Sequence, residues 1–136
     1  MRNGNVLVVE DDDTIRRLLI EYLKSHELVN VDGARDGVEA LHLIVTNPYA
    51  VMILDVMMPK MSGIDVLDSL EALLFDPSVK TLQNPPAVLV ITSAEKTILP
   101  DVAIAQRCPG SVQRVFRKPF DIKELAGCVE RYLGAG

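Results

Sequence analysis

Val6-Leu7-Val8-Val9-Glu10-Asp11-Asp12-Asp13 joins an unbroken aliphatic run to four consecutive carboxylates. A β-branched run without polar interruption reads as a strand buried on both faces, as strands of a parallel sheet are. Carboxylates packed at its exit repel one another unless something positive sits there. Two explanations are open. A hard divalent cation such as Mg²⁺ takes oxygen ligands from one or two carboxylates and keeps several waters. Alternatively the acidic residues start a helix, with Asp13 or Thr14 as its cap and their charge complementing the helix dipole.

Outward from this junction, apolar runs alternate with helical patterns. Asn5 to Val9 is the first strand, and a helix follows from about Asp13 to Ser25 with Ile15, Leu18, Leu19 and Leu23 on one face. Leu28 to Val31 is a weaker strand, followed by a helix from about Gly37 to Val45. Ala50 to Leu54 is a third strand ending at Asp55, and Ser62-Gly63 opens the next helix. The stretch from Asp76 to Pro86 carries three prolines and reads as a long loop. Ala87 to Ile91 is a fourth strand ending at Thr92-Ser93, with a short helix pattern at about Asp101 to Gln106. Val112 to Phe116 is the fifth strand. Asp121 is expected to cap a last helix running to about Leu133, with Glu124 closing a capping box. Strict strand–helix alternation predicts an α/β fold: a parallel sheet covered on both faces with right-handed crossovers.

Bulk properties narrow the function. One domain is expected from 136 residues, and 49% hydrophobic with 24% charged residues is ordinary for a globular protein. A net charge of −5 opposes direct binding to nucleic acid or to an anionic membrane. Cys108 and Cys128 are too isolated for a disulfide framework or a zinc site, which suits a cytoplasmic compartment. No apolar run approaches the length of a membrane span, so no membrane insertion is expected.

In parallel sheets, ligands bind beyond the carboxyl ends of the strands. That rule collects Glu10 and Asp11 from strand one, Asp55 from strand three, Thr92 and Ser93 from strand four, and Lys118 after strand five. Crowded carboxylates ask for a cation, whereas hydroxyl and ammonium groups are anion donors. Both together meet the requirements of a phosphoryl group. Asp55, held at the end of a rigid strand, can be a metal ligand, a nucleophile that forms an aspartyl phosphate, or both.

These motifs resemble those of response-regulator receiver domains, the phosphoacceptor modules of two-component signalling. The resemblance is carried by Val-Leu-Val-Val-Glu-Asp-Asp (residues 6 to 12), Ile-Leu-Asp-Val-Met-Met-Pro-Lys-Met-Ser-Gly (53 to 63), Val-Ile-Thr-Ser (90 to 93) and Lys-Pro-Phe (118 to 120). It covers about Asn5 to Leu133 and implies a flavodoxin-like, doubly wound (βα)5 sheet of strand order 2-1-3-4-5. It further implies that Asp55 is the phosphoacceptor and that Thr92 is the switch hydroxyl. Lys118 then ion-pairs with the aspartate and later with the phosphoryl group. Glu10, Asp11, Asp55 and the backbone carbonyl of Met57 would form the Mg²⁺ site, with a cis bond at Lys118-Pro119. Asp12 and Asp13 are assigned to the helix start, and Ser93 to the turn.

The chain departs from the family pattern in three places. Val115 stands where the family has an aromatic residue, and alternation turns Phe116 to the opposite face. The segments before and after strand four are longer than usual, which hints at an unusual partner surface. Met57 and Ala94 stand at positions flanking the attacking water, and neither side chain orients water by a strong hydrogen bond. A long-lived phosphoryl group is therefore expected.

The implied function is acceptance of a phosphoryl group from a histidine kinase or a phosphotransfer protein, followed by a switch in the surface offered to a downstream protein. No output domain is expected within these 136 residues. Two alternatives stand beside it. A haloacid-dehalogenase-type enzyme would use Asp-x-Asp-x-Thr, but Ile15 occupies the threonine position and Asp55 is left unexplained. A receiver-like module that binds without phosphorylation is suggested by Val115.

Overall fold

The computed structural model describes residues 5–26, 30–93 and 99–133. Its strands are β1 (Asn5–Val9), β2 (Asn30–Ala34), β3 (Val51–Asp55), β4 (Ala87–Ser93) and β5 (Val112–Lys118). The helices between them are α1 (Asp13–Ser25), α2 (Gly37–Thr46), α3 (Gly63–Leu74), α4 (Asp101–Ala105) and α5 (Ile122–Tyr132). All strand pairs are parallel, in the order β2-β1-β3-β4-β5. This is the flavodoxin-like order that the motifs implied, and it puts the ends of β1 and β3 side by side.

Alternation along each strand divides the core in two. Val6, Val8, Ile53, Leu89, Ile91 and Phe116 pack with Leu19 and Leu23 of α1 and Leu125 and Val129 of α5. Leu7, Val9, Met52, Leu54 and Val90 pack on the other face with Ile44, Val66, Leu70 and Ile104 of α2, α3 and α4. Both faces of β3 are buried, which explains its uninterrupted apolar sequence. Fully burying each such side chain contributes about 1.5–3 kcal/mol. Val115 packs with the α2–α4 cluster and Phe116 with the α1–α5 cluster, so the two do face opposite ways.

Several local expectations are corrected. The cap of α1 is Asp12, not Asp13 or Thr14: its Oδ1 accepts from the amides of Thr14 and Ile15 at 2.9 and 3.0 Å. Asp13 pairs instead with Arg16. Asp121 caps α5 through the Lys123 amide, but the reciprocal bond from Glu124 is not made. Glu124 pairs with Arg114 of β5, a charged partner that outcompetes a backbone amide. Among the described residues the second strand spans Asn30–Ala34 and so runs on past Val31 through Asp32 and Gly33, while its expected start at Leu28 lies outside them. Asp and Gly are poor strand formers, so pairing with β1 overrides local propensity there.

The long loop before β4 carries local structure of its own. It contains a 3-10 turn, Lys80–Leu82, that leans on α2. Leu82 is buried in the core, and the Thr81 hydroxyl donates to the carbonyl of Ile44 at 2.6 Å. Lying before β4, this segment is at the end of the sheet away from the carboxylates. Among the described residues no helix is long and apolar enough to cross a membrane.

Candidate functional site

Glu10 is anchored on every side. Its amide continues the sheet by donating to Ala34 at 3.1 Å, and its carbonyl accepts from Arg16 Nη1 at 2.8 Å. Its carboxylate accepts from the Asp11 amide at 3.1 Å and from Lys118 Nζ at 3.2 Å. The residue is 1% exposed. Asp55, at the end of the neighbouring strand, is 2% exposed, and its Oδ1 accepts from the Met57 amide at 3.2 Å. Asp11 lies at the rim, exposed to solvent.

The backbone after Asp55 is held by close packing. A Cβ on Gly63 would lie 2.3 Å from the Asp55 carbonyl oxygen and 2.8 Å from Cα of Val56, so only glycine lets α3 start this near the strand. The Gly63 amide donates to the Val56 carbonyl at 2.9 Å, and Ser62 and Asp65 form a capping box. Within this loop Lys60 adopts a left-handed conformation, with φ of 67°. The Lys118-Pro119 bond is cis.

The carboxylates of Glu10, Asp11 and Asp55 offer oxygen atoms within 4.8 Å of one another. They open onto a cavity of about 250 Å³, whose wall also includes Met57, Ser93 and Lys118. Thr92, fully buried, is not among its lining residues; its neighbour Ser93, expected as a turn residue near the site, does line it but is the last residue of β4. The ammonium of Lys118 is seated on Glu10, the more deeply buried of the acids near it, where the sequence reading had it on Asp55. Ala94 lies outside the described residues.

Burial, reinforced by the neighbouring Asp55 carboxylate, pushes the Glu10 carboxyl up to about 7 against the opposing pull of Lys118. Asp11 is raised in the same direction, first by the partial desolvation of its inner side at the rim and then by Glu10. Like charges sharing a site cannot all ionise cheaply, and a bound cation removes that penalty. An all-oxygen donor set suits a hard ion, so the residues fit Mg²⁺ of the kind held by receiver domains.

Comparison with known proteins agrees with this geometry. The response regulator receiver domain family matches residues 6–130. The transcriptional regulatory protein SrrA of Staphylococcus aureus is 43% identical over 95 residues, covering 70% of this chain and 35% of SrrA. The chain thus spans about a third of the length of that relative. The Francisella response regulator 1452 receiver domain superposes with a TM-score of 0.77 at 28% identity, covering 96% of this chain and 97% of that one. A response regulator receiver protein from Pseudomonas putida gives 0.74 at 26% identity, over 96% and 98%. With a parallel 2-1-3-4-5 sheet, an acidic pocket at its carboxyl end and this match along its length, the chain belongs to the response regulator receiver domain family of two-component signalling.

Proposed function

We propose that Asp55 accepts a phosphoryl group from the phosphohistidine of a histidine kinase or phosphotransfer protein. The P–N bond of the donor breaks as an Asp55 carboxylate oxygen bonds to phosphorus, and the imidazole leaves. The observation that carries this reading is the convergence of Glu10, Asp11 and Asp55 beside Lys118 in one cavity. Asp55 is buried at the end of a strand with both faces packed, so its carboxylate is presented with little freedom. Lys118 neutralises charge on the phosphoryl oxygens, moving from Glu10 onto them. Thr92, at the end of the same sheet, donates its hydroxyl to the phosphoryl group in the active state.

Glu10, Asp11, Asp55 and the Met57 carbonyl would hold Mg²⁺, which when bound neutralises charge on the transferring group. The phosphorylated and unphosphorylated forms differ in the surface around α4 and β5, a shift of population between two arrangements. Output passes by contact to a downstream protein rather than by direct nucleic-acid binding of this domain, whose net charge is −5. A cytoplasmic setting accords with two buried, free thiols.

Val115, aliphatic and packed in the α2–α4 cluster, favours a second reading as a receiver that binds its partner without phosphorylation. Incubation with acetyl phosphate and Mg²⁺ separates them. Gain of one phosphoryl mass, lost in Asp55→Asn, supports the phosphoacceptor; no gain with a competent kinase and small-molecule donors overturns it.

A further inference from the structure

Arg16 lies flat across the edge of the sheet. Its aliphatic stem passes over Gly33 of β2, where a Cβ would meet Arg16 Cδ at 3.2 Å and Ile20 Cδ1 at 2.9 Å. The side chain is only 16% exposed, and its guanidinium is forked: Nη1 donates to the Glu10 carbonyl at 2.8 Å, and Nη2 pairs with Asp13. The fork thereby grips both ends of the turn from Glu10 to Asp13, with Asp12 between them occupied as the helix cap. Asp11 is the residue of this turn whose carboxylate is left at the rim beside Glu10 and Asp55.

We propose that Arg16 is a positioning residue for cation binding: it acts through the backbone of Glu10 to fix where the Glu10 and Asp11 carboxylates point. This rests on the reading of those carboxylates as a Mg²⁺ site. A planar guanidinium bonding two acceptors at once gives direction that a point charge does not. Partners that orient ligands from behind commonly contribute 10- to 100-fold to metal affinity.

Charge and position make opposite predictions here. Arg16 is a cation near a cation site, so removing its charge alone should leave Mg²⁺ binding unchanged or tighten it. Losing a positioning contact should weaken it.

Calorimetric titration of the unphosphorylated protein with Mg²⁺ alone therefore decides the matter, using wild type, Arg16→Met, Asp11→Asn and, as a surface charge control, Arg17→Met. The expected result is affinity about tenfold weaker in Arg16→Met and no weakening in Arg17→Met, with far-ultraviolet circular dichroism unchanged. Wild-type or tighter binding by Arg16→Met, while Asp11→Asn is impaired, overturns the positioning role alone. Undiminished binding by Asp11→Asn overturns the metal-site reading and the proposal with it. Should Arg16→Met fail to fold, Arg16→Lys keeps the charge and the apolar stem but cannot bond both acceptors in one plane. It should bind Mg²⁺ several-fold more weakly, and wild-type affinity there overturns the proposal.

Discussion

The Lys118 ammonium stands 3.2 Å from Oε1 of Glu10, joining the end of β5 to the end of β1 across 108 positions of sequence. The pair is unequal: the lysine side chain is 30% exposed, whereas Glu10 is 1% exposed and has Asp55 beside it. Lys118 compensates part of the cost of a buried carboxylate, and burial still prevails. The acidic pocket is therefore a place where the folded apoprotein holds a proton that the unfolded chain releases.

This sets the direction of a pH dependence. The Glu10 carboxyl lies near 7 in the folded state against an ordinary value of 4.5. The folded state binds the proton more tightly, so this group's contribution is fully present below 4.5 and is lost as pH rises through about 7. Urea denaturation in EDTA should find stability falling across that window, by at most about 3 kcal/mol for such a shift. Glu10→Gln should flatten the dependence; an equally steep fall in the variant excludes Glu10 as its source.

Gly63→Ala should damage both stability and phosphorylation. The added methyl would lie 2.3 Å from the Asp55 carbonyl oxygen, a backbone atom with no rotamer to yield. Overpacking of this kind costs about 1–3 kcal/mol, and relief requires β3 or α3 to move at the phosphoacceptor itself. Denaturant midpoints and acetyl-phosphate labelling rates should fall together. Unchanged stability would show that α3 can back away freely.

Met57 is 42% exposed at the cavity mouth and offers water no strong hydrogen bond. Met57→Asn adds an amide that can orient an attacking water, so the phosphorylated variant should lose its phosphoryl group faster, by roughly 5-fold for one net hydrogen bond of about 1 kcal/mol. Decay can be timed by mass after donor removal. Equal or slower decay in Met57→Asn sinks the idea that this side chain prolongs the phosphorylated state.

Arg117, on the Val115 face of β5, donates through Nε to Asp101 Oδ1 at 2.8 Å and through Nη2 to the Leu99 carbonyl. It thus ties β5 to the start of α4, a helix of five residues that is too short to hold itself. Arg117→Ala should speed hydrogen exchange of the α4 amides about tenfold or more, for loss of a charged hydrogen bond worth about 1.5–3 kcal/mol. Exchange in α1 and α5 should be unaffected. Protection of α4 at the wild-type level would mean its anchoring lies in Ile104 and the core.

Strand–helix alternation, the two-sided burial of β1 and β3, and the collection of Glu10, Asp11, Asp55 and Lys118 at one end of the sheet were all readable from local pattern. Such signals lie within a few residues, because periodicity and strand ends are properties of neighbours in sequence. Choices among equivalent groups were not readable. Asp12 rather than Asp13 caps α1, Ser93 rather than Thr92 lines the cavity, and the Glu124 side chain pairs with Arg114 instead of closing a capping box on α5. β2 runs through Asp32 and Gly33 because β1 lies alongside. The sequence alone determined which chemical groups meet at the pocket. Only the tertiary structure decided that Lys118 rests on Glu10 and that Arg16 crosses Gly33, because those contacts depend on which partner, distant in sequence, reaches each group first.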